Sequence, residues 1–544
     1  MHSTGGGWFQ VDVVDVWTGE RANALQRALR LTNEAFAERL GTAVRTVAKW
    51  NATPETQPGS ELQQALDTTL ERASDQAKQR FSLLLDSTDT GERSDANSHG
   101  HHEERDLSEA RARLTSDSSI GAALEWVERA AGWSSGQARK EVLSRLVNLD
   151  PHVLQDRRSR RGRVDQHQLA ESLRNYYRHS HTEAGTYSAQ IADSHAITSL
   201  LTRPSWLDLA LPLDPEHDQL TLERMTAETP LALDEFTAGR AVQRIAETLE
   251  ENTRLVNAQL YRLLDLDAST KALNGAFGMT EFVQYALTMD LLEGEIVDAL
   301  AEGSPTQPGS LPLRDRYLAD IPSVLDPRGR LCAGGPLALC AIARPARGAR
   351  RSPDYVLLVQ ERGGQVLNAS RRIAPIPKSF HEPLIDQRED TQLAATLQRE
   401  MEEELFGRDD VDNTLSPQRS ADPMHPSRLS EPMRWLTEQT QSDQWRMECT
   451  GVGLNLVSGN YEFASLIVVH DETFWESFGG QIEANWESSK LQKYSSMDRE
   501  LLTELCSDEA WSNEGLFAFL QGLRRLSELD SERVNAPTIE WEIQ

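Results

Sequence analysis

Nowhere does the sequence hold a run of ~18 apolar residues; the longest candidates are short stretches such as Pro336 to Ile342. That excludes a hydrophobic membrane-spanning helix, and the N-terminal residues lack the basic-then-apolar pattern of a secretory signal. Cysteine is equally scarce. Cys332, Cys340, Cys449 and Cys506 form neither a disulfide framework nor a paired CxxC zinc site, so a reducing cytoplasmic compartment is expected. Positive charge is short as well. With 56 Lys+Arg against 85 Asp+Glu the net charge is -29, which excludes a protein that coats nucleic acid over its whole surface and confines any DNA contact to a small module. What is present is 544 residues, 38% of them hydrophobic, enough for several cores, at a mean hydropathy of -0.53 that leaves room for solvated joints.

Apolar spacing near 3.6 from Thr18 to Leu85, broken at Gly41 and from Pro54 to Gly59, predicts a small helical domain. Residues 86–118 are rich in Ser, Asp, Glu, Gly and His with little to bury, and read as a linker; His99, His101 and His102 within it read as solvated. Residues 119–304 read as a helical middle domain, with Val242, Ile245, Leu249, Val256, Leu260 and Leu263 on one face of a long amphipathic helix. Pro305, Pro308, Gly309 and Pro312 mark a boundary. Beyond it, Tyr355 to Gln360, Gln365 to Ile373 and Gly451 to Val469 read as strands, with helices at Leu393 to Leu405 and Asn513 to Leu529. The expected class is therefore multidomain, all-α at the start and α/β in residues 325–544.

Two segments carry chemistry. In Asn33 to Ala52, Ala37 is small where two helices must approach and Gly41 suits a tight turn. Val47 and Trp50 would face inward, leaving Arg45 and Lys49 outward, with Thr42 placed to cap the second helix. These residues resemble the helix-turn-helix of the Xre/Cro/phage-repressor family. The resemblance spans 18–85 and implies double-stranded DNA as partner, read by a dimer on paired half-sites. Arg45 and Lys49 would be the base or phosphate contacts, with Thr42, Thr46 and Asn51 beside them. Where family members often carry a Glu after the Trp and a Gly soon after, this chain has Asn51, Ala52 and Thr53.

The second segment, LAATLQREMEEELFG at 393–407, sets Leu393, Leu397, Met401 and Leu405 on one stripe. Glu400, Glu403 and Glu404 lie off it, spaced so that they could converge on a hard cation such as Mg²⁺ or form an acidic solvated face. The run Arg399, Glu400, Met401, Glu403, Glu404 resembles the REUXEE core of the Nudix box, GX5EX7REUXEEXGU with U apolar. The flanking positions depart from it: the two Gly positions fall on Ile385 and Phe406, the upstream Glu on Thr391, and the final apolar residue on Gly407. The resemblance implies a Nudix-like αβα sandwich over 325–544, with Glu400, Glu403 and Glu404 as the inherited metal positions, Arg399 bracing the helix, and Glu382, Glu389 or Asp390 as stand-ins for the missing Glu. A degenerate box implies ligand binding rather than turnover, so no catalytic residue is named.

A third feature is basic. Arg157, Arg158, Arg160, Arg161 and Arg163 crowd one stretch and ask for DNA, a nucleotide phosphate or the protein's own acidic residues as partner. Taken together, the residues lead to the expectation of a cytoplasmic, homodimeric transcriptional regulator of the type that joins Xre and Nudix-like modules in actinobacteria, sensing a nucleotide-like or phosphorylated effector. The alternatives are an active Mg-dependent hydrolase of nucleoside diphosphate derivatives and a non-enzymatic scaffold.

Overall fold

The computed structural model describes residues 17–29, 31–52, 56–71, 73, 78, 81, 110–111, 113–114, 119–178, 183–223, 231–251, 253, 255–348, 352–362, 372–407, 424–438, 444–482 and 488–544. Two compact units divide the chain, Met1–Arg105 and Asp106–Gln544.

Among the described residues of the first unit, helices α1 (Gly19–Leu29), α2 (Asn33–Leu40), α3 (Val44–Ala52) and α4 (Ser60–Glu71) follow one another. Gly41 turns the chain between α2 and α3 with a φ of 68°, a left-handed conformation that costs glycine nothing. Leu25, Phe36, Ala37, Leu40, Val47, Trp50 and Leu66 fill the core. Trp17 closes it, stacking on Phe81 at 5.7 Å and donating its indole N–H to Asp67 at 2.7 Å. Asn23 of α1 donates to the Trp50 carbonyl at 3.0 Å, satisfying a backbone acceptor in the last turn of α3.

The second unit opens with α5 (Ile120–Ala131), α6 (Gln137–Val147), α7 (Pro151–Arg161) and α8 (Gln166–Tyr176). Strands follow: β1 (Gly185–Ile191), β2 (Ser194–Thr202), β3 (Leu207–Pro212) and β4 (Asp218–Leu222). After α9 (Glu235–Glu250) come β5 (Gln259–Ala268), β6 (Leu273–Glu281) and α10 (Leu291–Glu302). The remainder holds β7 (Gly334–Arg344), β8 (Asp354–Arg362), β9 (Ile373–Pro375), α11 (Leu393–Glu400), β10 (Trp445–Asn455), β11 (Tyr461–Val469), β12 (Ser488–Ser495), α12 (Asn513–Leu529) and β13 (Ile539–Ile543).

Three expectations are corrected here. Residues 119–304 are not a helical domain, because six strands lie within them. The long helix expected through Leu263 ends at Glu250, and Leu260 and Leu263 belong to β5; short apolar runs fit both periods, and pairing with β6 decides between them. Nor does Pro305 to Pro312 separate domains. The large sheet runs β12-β8-β7-β11-β10-β2-β1-β13, with β3 on β10 and β9 on β8, so strands from both sides of that turn share one ladder. The segment expected as linker lies mostly outside the described residues, as do His99, His101, His102 and the expected strand up to 371, but Ala110 and Leu114 are buried against α5 and α9.

Around β7, β8 and β11 the sheet is the middle of three layers. Ala338, Cys340, Ile342, Val356, Leu358 and Ile467 face Leu393, Leu397, Met401 and Leu405. Their neighbours Leu337, Leu339, Ala341, Leu357, Val359 and Leu466 face Leu516, Phe517, Leu520 and Leu523 of α12. This alternation of period two is why strands buried on both faces read as continuous apolar runs. β7 and β11 are parallel, with Gly334 beside Tyr461, and a Cβ on Gly334 would stand 1.9 Å from the Tyr461 carbonyl oxygen.

Candidate functional sites

The exposed face of α3 rests on its own buried face. Val47 and Trp50 lie in the core of the first unit, while Arg45 and Lys49, one turn apart, are exposed and Thr46 is half-buried between them. No acidic residue stands on α3, and residues 18–85 hold nine Lys+Arg against eight Asp+Glu in a chain whose net charge is -29. The segment is thus close to neutral, and Arg45 and Lys49 are local cations that a polyanion could meet. Thr42 corrects the capping expectation: α3 begins at Val44, which puts Ala43 at the cap position and Thr42, half-buried, one residue earlier. Asn51 falls in the last turn of α3, and its side chain lies outside the described residues.

The apolar stripe packs as expected, and beyond α11 the chain continues directly into a π-helical turn, Met401–Leu405, that carries Glu403 and Glu404. The carboxylates go to different partners. Arg399, buried, holds Glu400 through Nε and Nη2 at 3.1 Å each and reaches the Glu382 carboxylate at 3.5 Å. Burial works against the Arg399 charge, but Glu400, Glu382 and Glu403 outweigh it and raise its pKa. The Glu400 carboxyl is raised too, by burial first and by Glu382, with Arg399 opposing. Glu404 turns elsewhere: its two oxygens accept from the Lys378 backbone N–H at 2.8 Å and the Gln360 amide at 3.2 Å. Glu403 is half-buried.

In this packing Glu400 pairs with Arg399 while Glu404 accepts from Lys378 and Gln360, and among the described residues no group of three His, Cys, Asp or Glu side chains is placed to hold a metal. Of the three stand-ins for the missing Glu, only Glu382 reaches Arg399. Glu389 is exposed, and Asp390 closes its own loop by accepting from the N–H groups of Leu384, Ile385 and Asp386 at 2.8 to 3.0 Å.

A buried polar network, not assembled from sequence, lies at the start of α12. Lys378 Nζ meets Glu514 at 2.5 Å, and the Asn455 amide donates to both Glu514 and Glu462 at 3.3 Å. Burial alone would raise the Glu514 carboxyl, but Lys378 holds it down to about 2. Glu293 of α10 faces this network, and burial, with Asp290 and Glu514 adding repulsion, pushes it up to about 7. Asn455, Glu462 and Glu514 stand out in the sequence only as polar residues among aromatics; their convergence follows from strand pairing. The sequence offers no signal for Lys378 or Glu293.

The arginine cluster finds its partners within the unit. Arg157 pairs with Glu247 and Arg158 with Glu251, each at 2.7 Å, Arg160 stands 3.7 Å from Glu302, and Arg161 grips Asp298. α7 is thereby tied to the acidic side of α9 and α10, and four of the five guanidinium groups are engaged by the protein itself. No family model matches the chain, and no curated protein matches it.

Proposed function

We propose that the protein is a DNA-binding transcriptional regulator whose larger unit responds to a small ligand. The observation that carries this reading is the two-sided build of α3: Val47 and Trp50 fix the helix while Arg45 and Lys49 stand exposed on its outer surface. A helix of this diameter fits the major groove, where Arg and Lys pair with guanine edges or phosphates. The unit presents few such contacts, so a homodimer on paired half-sites supplies the remainder. The three-layered region around β7, β8 and β11, which resembles a Nudix-like sandwich in its REUXEE core, serves as the sensing part. Its carboxylates Glu400, on α11, and Glu404, in the turn that follows, are engaged by Arg399, Lys378 and Gln360, which favours binding over metal-assisted turnover. The test is selection of genomic fragments by the purified full chain, followed by mobility shift on the enriched sequence. A common motif with two half-sites is the expected result; enrichment of no sequence over bulk DNA rejects the reading.

A further inference from the structure

α7 is held in place by charge more than by apolar burial. Of its eleven residues only Leu154 is buried, and Val153 is 58% exposed. A helix of that length is marginal in water by itself and ordinarily depends on an apolar face packed against a core. In its place α7 has four ion pairs. Arg157 and Arg158 meet Glu247 and Glu251 at the C-terminal end of α9, and Arg160 and Arg161 meet Glu302 and Asp298 of α10. Each side of this contact carries a charge excess that is unfavourable alone. On α7, Arg157 stands three and four residues from Arg160 and Arg161, so like charges repel along the helix. On α9, Glu247, Glu250 and Glu251 crowd the end where the helix dipole disfavours negative charge, and its last turn holds no basic residue. α10 carries Glu293, Glu295, Asp298 and Glu302 without one Lys or Arg. Arg161 shows the balance: burial works against its charge, but Asp298, then Glu247 and Glu293, outweigh it and raise its pKa.

We propose that α7 is an ionic strap, fastened across α9 and α10 at low ionic strength and loosened as ionic strength rises, while the core of the second unit stays closed. The four arginine side chains are 26% to 63% exposed, within reach of counter-ions. Attraction between such charges is screened over about 10 Å at 0.1 M salt and over about 3 Å at 1 M. Apolar packing has no such dependence: α12, with Leu516, Phe517, Leu520 and Leu523 buried, is held by burial that simple salt leaves in place. Salt concentration is therefore the input to this device, and exposure of the acidic surfaces of α9 and α10 is its output. The strap belongs to the second unit alone and does not rest on the DNA-binding reading above.

The experiment is amide hydrogen exchange by mass spectrometry on the full chain at constant pH, in sodium chloride from about 0.05 M to about 1 M. Amides of residues 151–161 should exchange about tenfold or more faster at the upper end, while those of α12 change less than about twofold. Glu247→Gln with Asp298→Asn keeps the side-chain shapes and removes two of the charges; it should speed exchange in α7 at low salt and flatten the salt dependence. Arg157→Gln with Arg161→Gln removes the same two pairs from the other side and should do likewise, with the protection of α12 in the same spectra reporting that each variant is folded. Exchange in α7 that salt leaves unchanged overturns the proposal. So does equal acceleration of α7 and α12, which would mean loosening of the whole unit, or a salt dependence that persists undiminished in the folded variants.

Discussion

The carboxylate of Asp218, on β4, accepts the backbone N–H of Leu393 at 2.8 Å and so closes the N-terminus of a helix that begins 175 residues later. β4 belongs to the three-stranded sheet β4-β6-β5, and α11 to the layer over the large sheet, so this bond fastens the small sheet to a helix packed on the large one. Gln392, the residue at the local cap position, makes no side-chain cap of its own.

Burial pushes the Asp218 carboxyl up to about 6, against the N–H groups of Leu393 and Leu220 that favour its charge. A native pKa above the unfolded value means that the folded state binds the extra proton, so stability is highest below the unfolded pKa and falls as pH rises from about 4 to about 6. Two pKa units correspond to about 3 kcal/mol at most. Urea unfolding from pH 4 to pH 7 should show this decline, and Asp218→Asn should flatten it while keeping an acceptor for Leu393. An unchanged slope in the variant would remove Asp218 as its source.

On α3 the two faces should respond differently to substitution. Arg45→Ala with Lys49→Ala is expected to cost ~1–3 kcal/mol of DNA affinity per lost base contact, with no change in far-UV circular dichroism or melting. Trp50→Ala, by contrast, empties a core position and should destabilise the first unit by about 3–5 kcal/mol, losing binding through unfolding. A double surface variant that binds the selected operator as tightly as the original chain would take α3 out of the interface.

The Lys378–Glu514 pair, 14% and 10% exposed, is largely desolvated. Removing one partner leaves the other charge buried, so Lys378→Met and Glu514→Gln should each destabilise by about 3–5 kcal/mol, while the double variant recovers much of the loss. Additive losses in a double-mutant cycle by chemical denaturation would show that the pair is not coupled.

On the proposed reading of the second unit as a ligand sensor, nucleoside diphosphate derivatives with Mg²⁺ or Mn²⁺ should yield negligible release of phosphate or nucleotide, whereas a phosphorylated or nucleotide-like effector should raise the melting temperature and change operator affinity. Linkage then requires that operator DNA change effector affinity by the same factor. Robust turnover that disappears in Glu403→Gln or Glu404→Gln would replace the sensor by a hydrolase.

The sequence by itself determined what depends on neighbours along the chain. The stripe Leu393, Leu397, Met401 and Leu405, the inward Val47 and Trp50, the turn at Gly41 and the helix Asn513–Leu529 are all set by spacing within one or two turns, and the structure places them so. Tertiary structure decided the rest. β1 pairs with β13, Tyr187 opposite Ile543, and no local pattern announces a partner so distant. For the same reason the middle of the chain, read as helical, became part of the sheet: Leu260 and Leu263 satisfy either period until a neighbouring strand supplies the hydrogen bonds. The carboxylates of α11 show the same limit in chemistry. Their spacing allowed a shared cation, and it was Arg399, Lys378 and Gln360, brought in by packing, that drew Glu400 and Glu404 to different partners, because a buried carboxylate takes whichever cation or N–H the fold sets against it.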